Sequence, residues 1–212
     1  MTTQVFLAFD TSAAHCAVAL LWAAHGADQP ARCETFVQDM AKGQAEALVP
    51  MIDELLARHS VGYGDLSGVC VGVGPGNFTG VRISVALARG LALGLDVPAF
   101  GVTGFEVAAQ IAAADTPVWA VVDAPRQQFY AQRFDDAQGH VRGLAQILDA
   151  AALDQLDAPA VRLKDCDADQ LVAAVAQIGA GKSHSPQPRP APFYLRGADA
   201  APPSTPPPVI LP

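Results

Sequence analysis

The feature that most limits what this chain can become is a helix with almost no polar side. The stretch Val71–Gly104 reads VGVGPGNFTGVRISVALARGLALGLDVPAFGVTG. The run that leads into it, Val69-Cys70-Val71-Gly72-Val73, predicts a buried strand. A turn of Gly74, Pro75 and Gly76 follows, and then Asn77, Phe78, Thr79 and Gly80. From Thr79 to about Leu95 the pattern predicts a helix. Val81, Val85, Ala88, Ala92 and Leu95 mark one side, Ser84, Leu87 and Leu91 another, and Arg82 and Arg89 are the clearest polar interruption. A helix apolar nearly all round must be covered on more than one side. A sheet can cover one. The other needs a second layer, from this chain or from a partner.

Glycine-rich turns between a strand and a helix often hold phosphate, because free N–H groups and the helix dipole favour anions. The two common forms fail here. A Walker loop ends in Gly-Lys-Ser/Thr, but Gly80 is followed by Val81, and no lysine lies between Lys42 and Lys164. A dinucleotide fingerprint begun at Gly72 or Gly74 meets Asn77 or Thr79 where its last glycine belongs. The plainer role is steric: the glycines permit a tight turn and a close approach of helix to sheet.

The run GxGPGxFTGxR, then a helix, a leucine- and glycine-rich segment and P-x-x-G-V-T, resembles the signature of the TsaB (YeaZ) family. Members of that family are subunits of the bacterial machinery that makes N6-threonylcarbamoyladenosine beside the tRNA anticodon. The resemblance covers about Val5 to Tyr130 and returns at Pro192–Arg196, where Pro192-Phe193-Tyr194-Leu195-Arg196 resembles the family's P-x-Y-L-R. Val121–Tyr130 resembles its D-A-R-x-x-E-V-Y hairpin, with Pro125 inserted before Arg126 and Gln128 where glutamate is usual.

Charge bears on the partners. The net charge of −8 argues against autonomous nucleic-acid binding, which rests on cations neutralising phosphates. Cys16, Cys33, Cys70 and Cys166 form no C-x-x-C pair, as expected of reduced thiols in a cytoplasmic protein. The N-terminus lacks the pattern of a signal peptide, and no uninterrupted apolar run approaches the roughly 20 residues that span a bilayer. We expect a soluble cytoplasmic protein.

Along the chain, strands are expected at Val5–Phe9, Cys16–Ala23 and Arg32–Val37, then an amphipathic helix from Gly43 to His59. Leu48, Met51, Ile52, Leu55 and Leu56 share one face of that helix, and Pro50 either delays its start or kinks it. After the Thr79 helix come a short strand at Ala99–Val102 and a helix from Thr103 to about Ala114. Strands then follow at Val118–Asp123, Gln128–Phe134 and Val141–Leu148. Helices at Asp149–Leu156 and Ala168–Ile178 flank a short strand at Ala160–Leu163. From Ser185 prolines gather; Phe193, Tyr194 and Leu195 are expected to dock, and Pro202–Pro212 to be an extended tail. The strand and helix order implies an α/β fold of two ribonuclease-H-like lobes, as in the actin, Hsp70 and sugar-kinase superfamily, the second abbreviated. The division expected is 1–102, 103–184 and a partly docked proline-rich segment, 185–212.

Two functional readings follow. In the superfamily an acidic residue ends the first strand and glycine turns meet phosphate, which would assign Asp10, Thr11, Ser12, Gly74, Gly76, Thr79 and Gly80 to a nucleotide in a kinase or ATP hydrolase. The plainer role for Asp10 is a turn or cap. The catalytic relatives, the TsaD proteins, bind metal through His-x-x-x-His on a first-lobe helix; the matching positions here are Gln44 and Leu48, neither an imidazole. His15, His25, His59, His140 and His184 lack metal-ligand spacing, and no G-x-S-x-G elbow accompanies Ser12 and His15. The resemblance therefore implies a non-catalytic partner of TsaD, with TsaE as a further partner, a homodimer in isolation and tRNA reached only through the complex. No cofactor is firmly implied; a nucleotide at the partner interface is the one candidate. The surface expected to meet TsaD is Leu48, Met51, Leu55, Arg82, Val85, Arg89 and Ala92.

Overall fold

The computed structural model describes residues 3–23, 31–113, 117–135 and 141–195. His25, His140, Arg196 and the tail from Pro202 to Pro212 lie outside the described residues.

The first sheet is built from β1 (Gln4–Asp10), β2 (His15–Ala23), β3 (Arg32–Asp39), β4 (Leu66–Gly72) and β5 (Ala99–Val102), in the order β3-β2-β1-β4-β5. β1 runs antiparallel to β2, with Leu7 opposite Leu20, and parallel to β4, with Phe9 beside Val71. Both faces of β1 are buried, which is why its sequence reads as a continuous apolar run. Val5, Leu7 and Phe9 point to one core; Phe6 and Ala8 point to the other.

The first core is roofed by α1 (Gln44–Arg58) and α2 (Phe78–Leu95). α1 begins after Gly43, whose positive φ of 94° suits a residue without Cβ, and runs through Pro50 to Arg58. Its five buried residues are Leu48, Met51, Ile52, Leu55 and Leu56, the face expected from the spacing. α2 starts at Asn77, whose side chain accepts from the N–H groups of Thr79 and Gly80, and closes at Asp96 in the left-handed region. Among the described residues α2 is the one helix long and apolar enough to cross a membrane by length and composition. In the fold, its Val81, Val85 and Ala88 rest on the first sheet's core.

The opposite face of the same sheet carries α5 (Ala168–Gly181), so Val172 and Val175 pack with Phe6, Ala17 and Phe100. Gly179 lets α5 come close, since a Cβ there would lie 2.4 Å from the Cys70 sulfur. α5 belongs in sequence to the second half but covers the first sheet.

The second sheet holds β6 (Val118–Ala124), β7 (Gln128–Phe134), β8 (Val141–Leu148) and β9 (Ala160–Arg162), in the order β8-β7-β6-β9. β6 is antiparallel to β7 and parallel to β9, as β1 is to β2 and β4. The second sheet thus repeats the first without its fifth strand. The helix expected at Asp149–Leu156 is one short turn, α4 (Ala150–Leu153).

α3 (Gly104–Ala112) serves both cores. Thr103 and Glu106 form a reciprocal capping box at its start. From there Val107 turns to the first sheet, and Phe105 and Ala108 turn to the second.

Candidate functional site

The turns after β1 and β4 meet at one end of the first sheet and bring together the residues expected to hold phosphate. Asp10, Thr11 and Ser12 are all buried. Asp10 Oδ1 accepts from Ser12 N at 2.9 Å, from Ser12 Oγ at 2.8 Å and from His15 Nε2 at 3.0 Å. Oδ1 is therefore fully engaged within its own turn. Thr11 Oγ1 donates to the carbonyl of Gly80 at 2.7 Å, and Asn77 N donates to the carbonyl of Ser12 at 2.7 Å.

The glycines mark where the two turns press together. A Cβ at Gly72 would sit 1.8 Å from Asp10 Oδ2, one at Gly76 would sit 2.5 Å from the Ser12 carbonyl, and one at Gly80 would sit 1.8 Å from the Thr11 carbonyl. The N–H groups of Thr79 and Gly80 donate to the Asn77 side chain at 3.0 Å each. The Cβ positions of Gly72, Gly76 and Gly80 are thus occupied by the Asp10–Ser12 turn, and the N–H groups of Thr79 and Gly80 are taken by the Asn77 cap. The glycines let the two turns close on each other. Among the described residues no group of three or more His, Cys, Asp or Glu side chains could hold a metal ion.

Ser12, His15 and Asp10 do converge, which the sequence reading of Ser12 and His15 missed. The order is wrong for nucleophilic catalysis. Both the hydroxyl and the imidazole bond the same carboxylate oxygen, so the aspartate stands between nucleophile and base. The second sheet has an aspartate in the equivalent place, Asp123 near the end of β6. Burial pushes its carboxyl up, but Arg162 at 2.5 Å and Lys164 at 3.2 Å outweigh that and hold it below the usual carboxylate range.

The seven residues expected to meet a partner divide sharply. Leu48, Met51, Leu55 and Val85 are at most 3% exposed and belong to the chain's own core. They cannot form an outer surface, because the face that makes α1 amphipathic is the face it turns to the sheet. Arg82 is exposed but engaged: its Nε donates to Tyr194 Oη at 2.9 Å and its guanidinium lies 3.6 Å from the Phe78 ring centre. Arg89 is exposed and Ala92 half-buried. Beside them Leu93 is 82% exposed, and Gly90 and Gly94 have nothing within 4 Å of a Cβ position. The uncovered side of α2 thus carries an exposed leucine between two glycines, with Arg89 beside them and residues 183–190 across a groove, and the sequence had located the helix but not this face.

The architecture defines an α/β protein of the actin, Hsp70 and sugar-kinase class, with two sheets of related order and a close-packed first turn. A family model described as TsaD, tRNA N6-adenosine threonylcarbamoyltransferase, matches residues 38–201. The chain belongs to this family and, within it, to the TsaB (YeaZ) branch. It is 35% identical over 113 residues to the tRNA threonylcarbamoyladenosine biosynthesis protein TsaB of Haemophilus influenzae, covering 53% of this chain and 44% of that one. The Escherichia coli protein of the same name is 32% identical over 127 residues, covering 58% and 52%. The chain thus spans about half the length of these curated relatives. An uncharacterised protein of Mycobacterium tuberculosis is 31% identical over 76% of this chain and 79% of its own. The solved YeaZ structure from Pseudomonas aeruginosa is 25% identical, with a TM-score of 0.69 over 91% of this chain and all of that one.

Proposed function

We propose that this chain is a non-catalytic partner subunit of a TsaD protein, required for threonylcarbamoyl transfer to the adenosine beside the tRNA anticodon. The observation that carries the reading is the outward side of α2. Leu93 is 82% exposed there, between two glycines whose missing side chains allow another helix to approach closely. An apolar helix face of this kind calls for a cover. The names of the curated relatives supply the pathway. The relatives named for tRNA threonylcarbamoyladenosine biosynthesis weigh against the kinase or hydrolase reading.

The surface we assign is Arg89, Gly90, Ala92, Leu93 and Gly94. TsaD is the partner, and helices of both proteins would pack across the contact. In its absence a second copy of this chain would take the same place. TsaE joins the assembly, and tRNA is reached through TsaD, in keeping with the net charge of −8. The setting is the cytoplasm. We take residues 1–102 as the first lobe and 103–184 as the second, with α5 lent back to the first sheet.

The test is light scattering on mixtures with the cognate TsaD. The unaltered chain should form a complex of fixed stoichiometry, and Leu93→Asp should not. Equal complex formation by both would remove α2 from the interface, and no complex with either would sink the partner reading.

A further inference from the structure

Residues 190–195 cross from one sheet's core to the other's. Pro190 is buried against Gly101 of β5. Phe193 packs on both the core beneath α1 and α2 and the core of the second sheet, its ring edge-on to Phe105 at 6.1 Å, and its N–H donates to the carbonyl of Val73 at 2.8 Å. Leu195 lies against the second sheet's core. Tyr194 accepts from Arg82 and sits 5.4 Å from the Phe78 ring. The contacts of Phe193 with Val73 and Phe105 are made at the seam where the β4–α2 turn meets the start of α3, and Gly104 N donates to Gly74 O at that seam at 2.8 Å.

The backbone attachment is sparse. Pro186, Pro188, Pro190 and Pro192 have no N–H to donate, and among the described residues Phe193 to Val73 is the backbone hydrogen bond that joins this segment to the sheets. A short segment held by side chains with a single backbone hydrogen bond can open locally while the elements around it stay folded.

We propose that Pro190–Leu195 is a detachable strap that ties the two lobes together, with Phe193 as its pin and Arg82–Tyr194 as its clasp. Arg82 is then a positioning residue for the strap and not a partner contact. When the strap lifts, the seam at Gly74 and Gly104 loosens while both sheets stay folded.

Amide hydrogen exchange on the full chain tests this. Phe193→Ala should raise exchange about tenfold in peptides covering Gly74–Val81 and Gly104–Phe105, with β1, β2 and α1 unchanged. An unchanged seam, or an equal rise in every peptide, overturns the proposal. Tyr194→Phe removes the clasp but keeps the ring, so it remains informative if Phe193→Ala does not fold. Faster exchange confined to residues 190–195 and the seam supports the strap; no increase, or a general one, overturns it.

Discussion

A single methyl group separates two kinds of glycine in this chain. At Gly80 it would meet the Thr11 carbonyl at 1.8 Å, where backbone faces backbone and neither side can yield. Gly80→Ala should therefore destabilise the fold by about 3 kcal/mol, read from urea unfolding. At Gly90 the same methyl meets open space on a helix. Gly90→Ala should stabilise the isolated chain by about 1 kcal/mol, since alanine is the better helix former, and should still weaken the complex with TsaD. The thiols make a prediction about pH. Burial, with Asp10 nearby, pushes Cys16 up to about 11, and burial with Glu34 does the same for Cys33. Unfolded thiols ionise near 9.0, so the unfolded chain releases protons that the folded chain retains. Stability contributed by these groups is whole below pH 9 and falls as pH rises from 9 towards 11. Chemical denaturation across that range should show the fall, and Cys16→Ala with Cys33→Ala should lessen it, the remainder belonging to Cys70 and Cys166, whose thiols burial also pushes up.

The helices bear different burdens, and substitutions should separate them. Leu55 is 1% exposed in the first core, so Leu55→Ala should cost about 2–5 kcal/mol in stability, measured by thermal or urea unfolding. Leu93→Asp should leave stability within about 0.5 kcal/mol, because the side chain is in water already. Its effect should fall on affinity for TsaD, about tenfold or more. The sequence made these helices readable to different degrees. In α1 the offsets of Leu48 through Leu56 mark a buried face without further information. In α2 nearly every position is apolar, so periodicity could not say which side meets the sheet. Spacing was no guide to α5 either, since a helix apolar on most sides fits either sheet and only tertiary packing places Val172 against Phe6. Asn77 was read only as part of the turn, although its residue type is one that caps helices. The bond from Tyr194 to Arg82 joins residues 112 positions apart, and no local signal announces it.

At the scale of the whole molecule, two sheets share one strand order, and α3 and the segment around Phe193 contribute to both cores. At this scale the proposed role is that of a partner subunit to TsaD. The most direct test is reconstitution with the cognate TsaD, TsaE, threonylcarbamoyl-AMP synthase and tRNA, comparing modified adenosine with and without this chain. The account predicts that product is lost when the chain is omitted and restored when it is added back at a fixed ratio to TsaD. Product formed equally well without it would contradict the account.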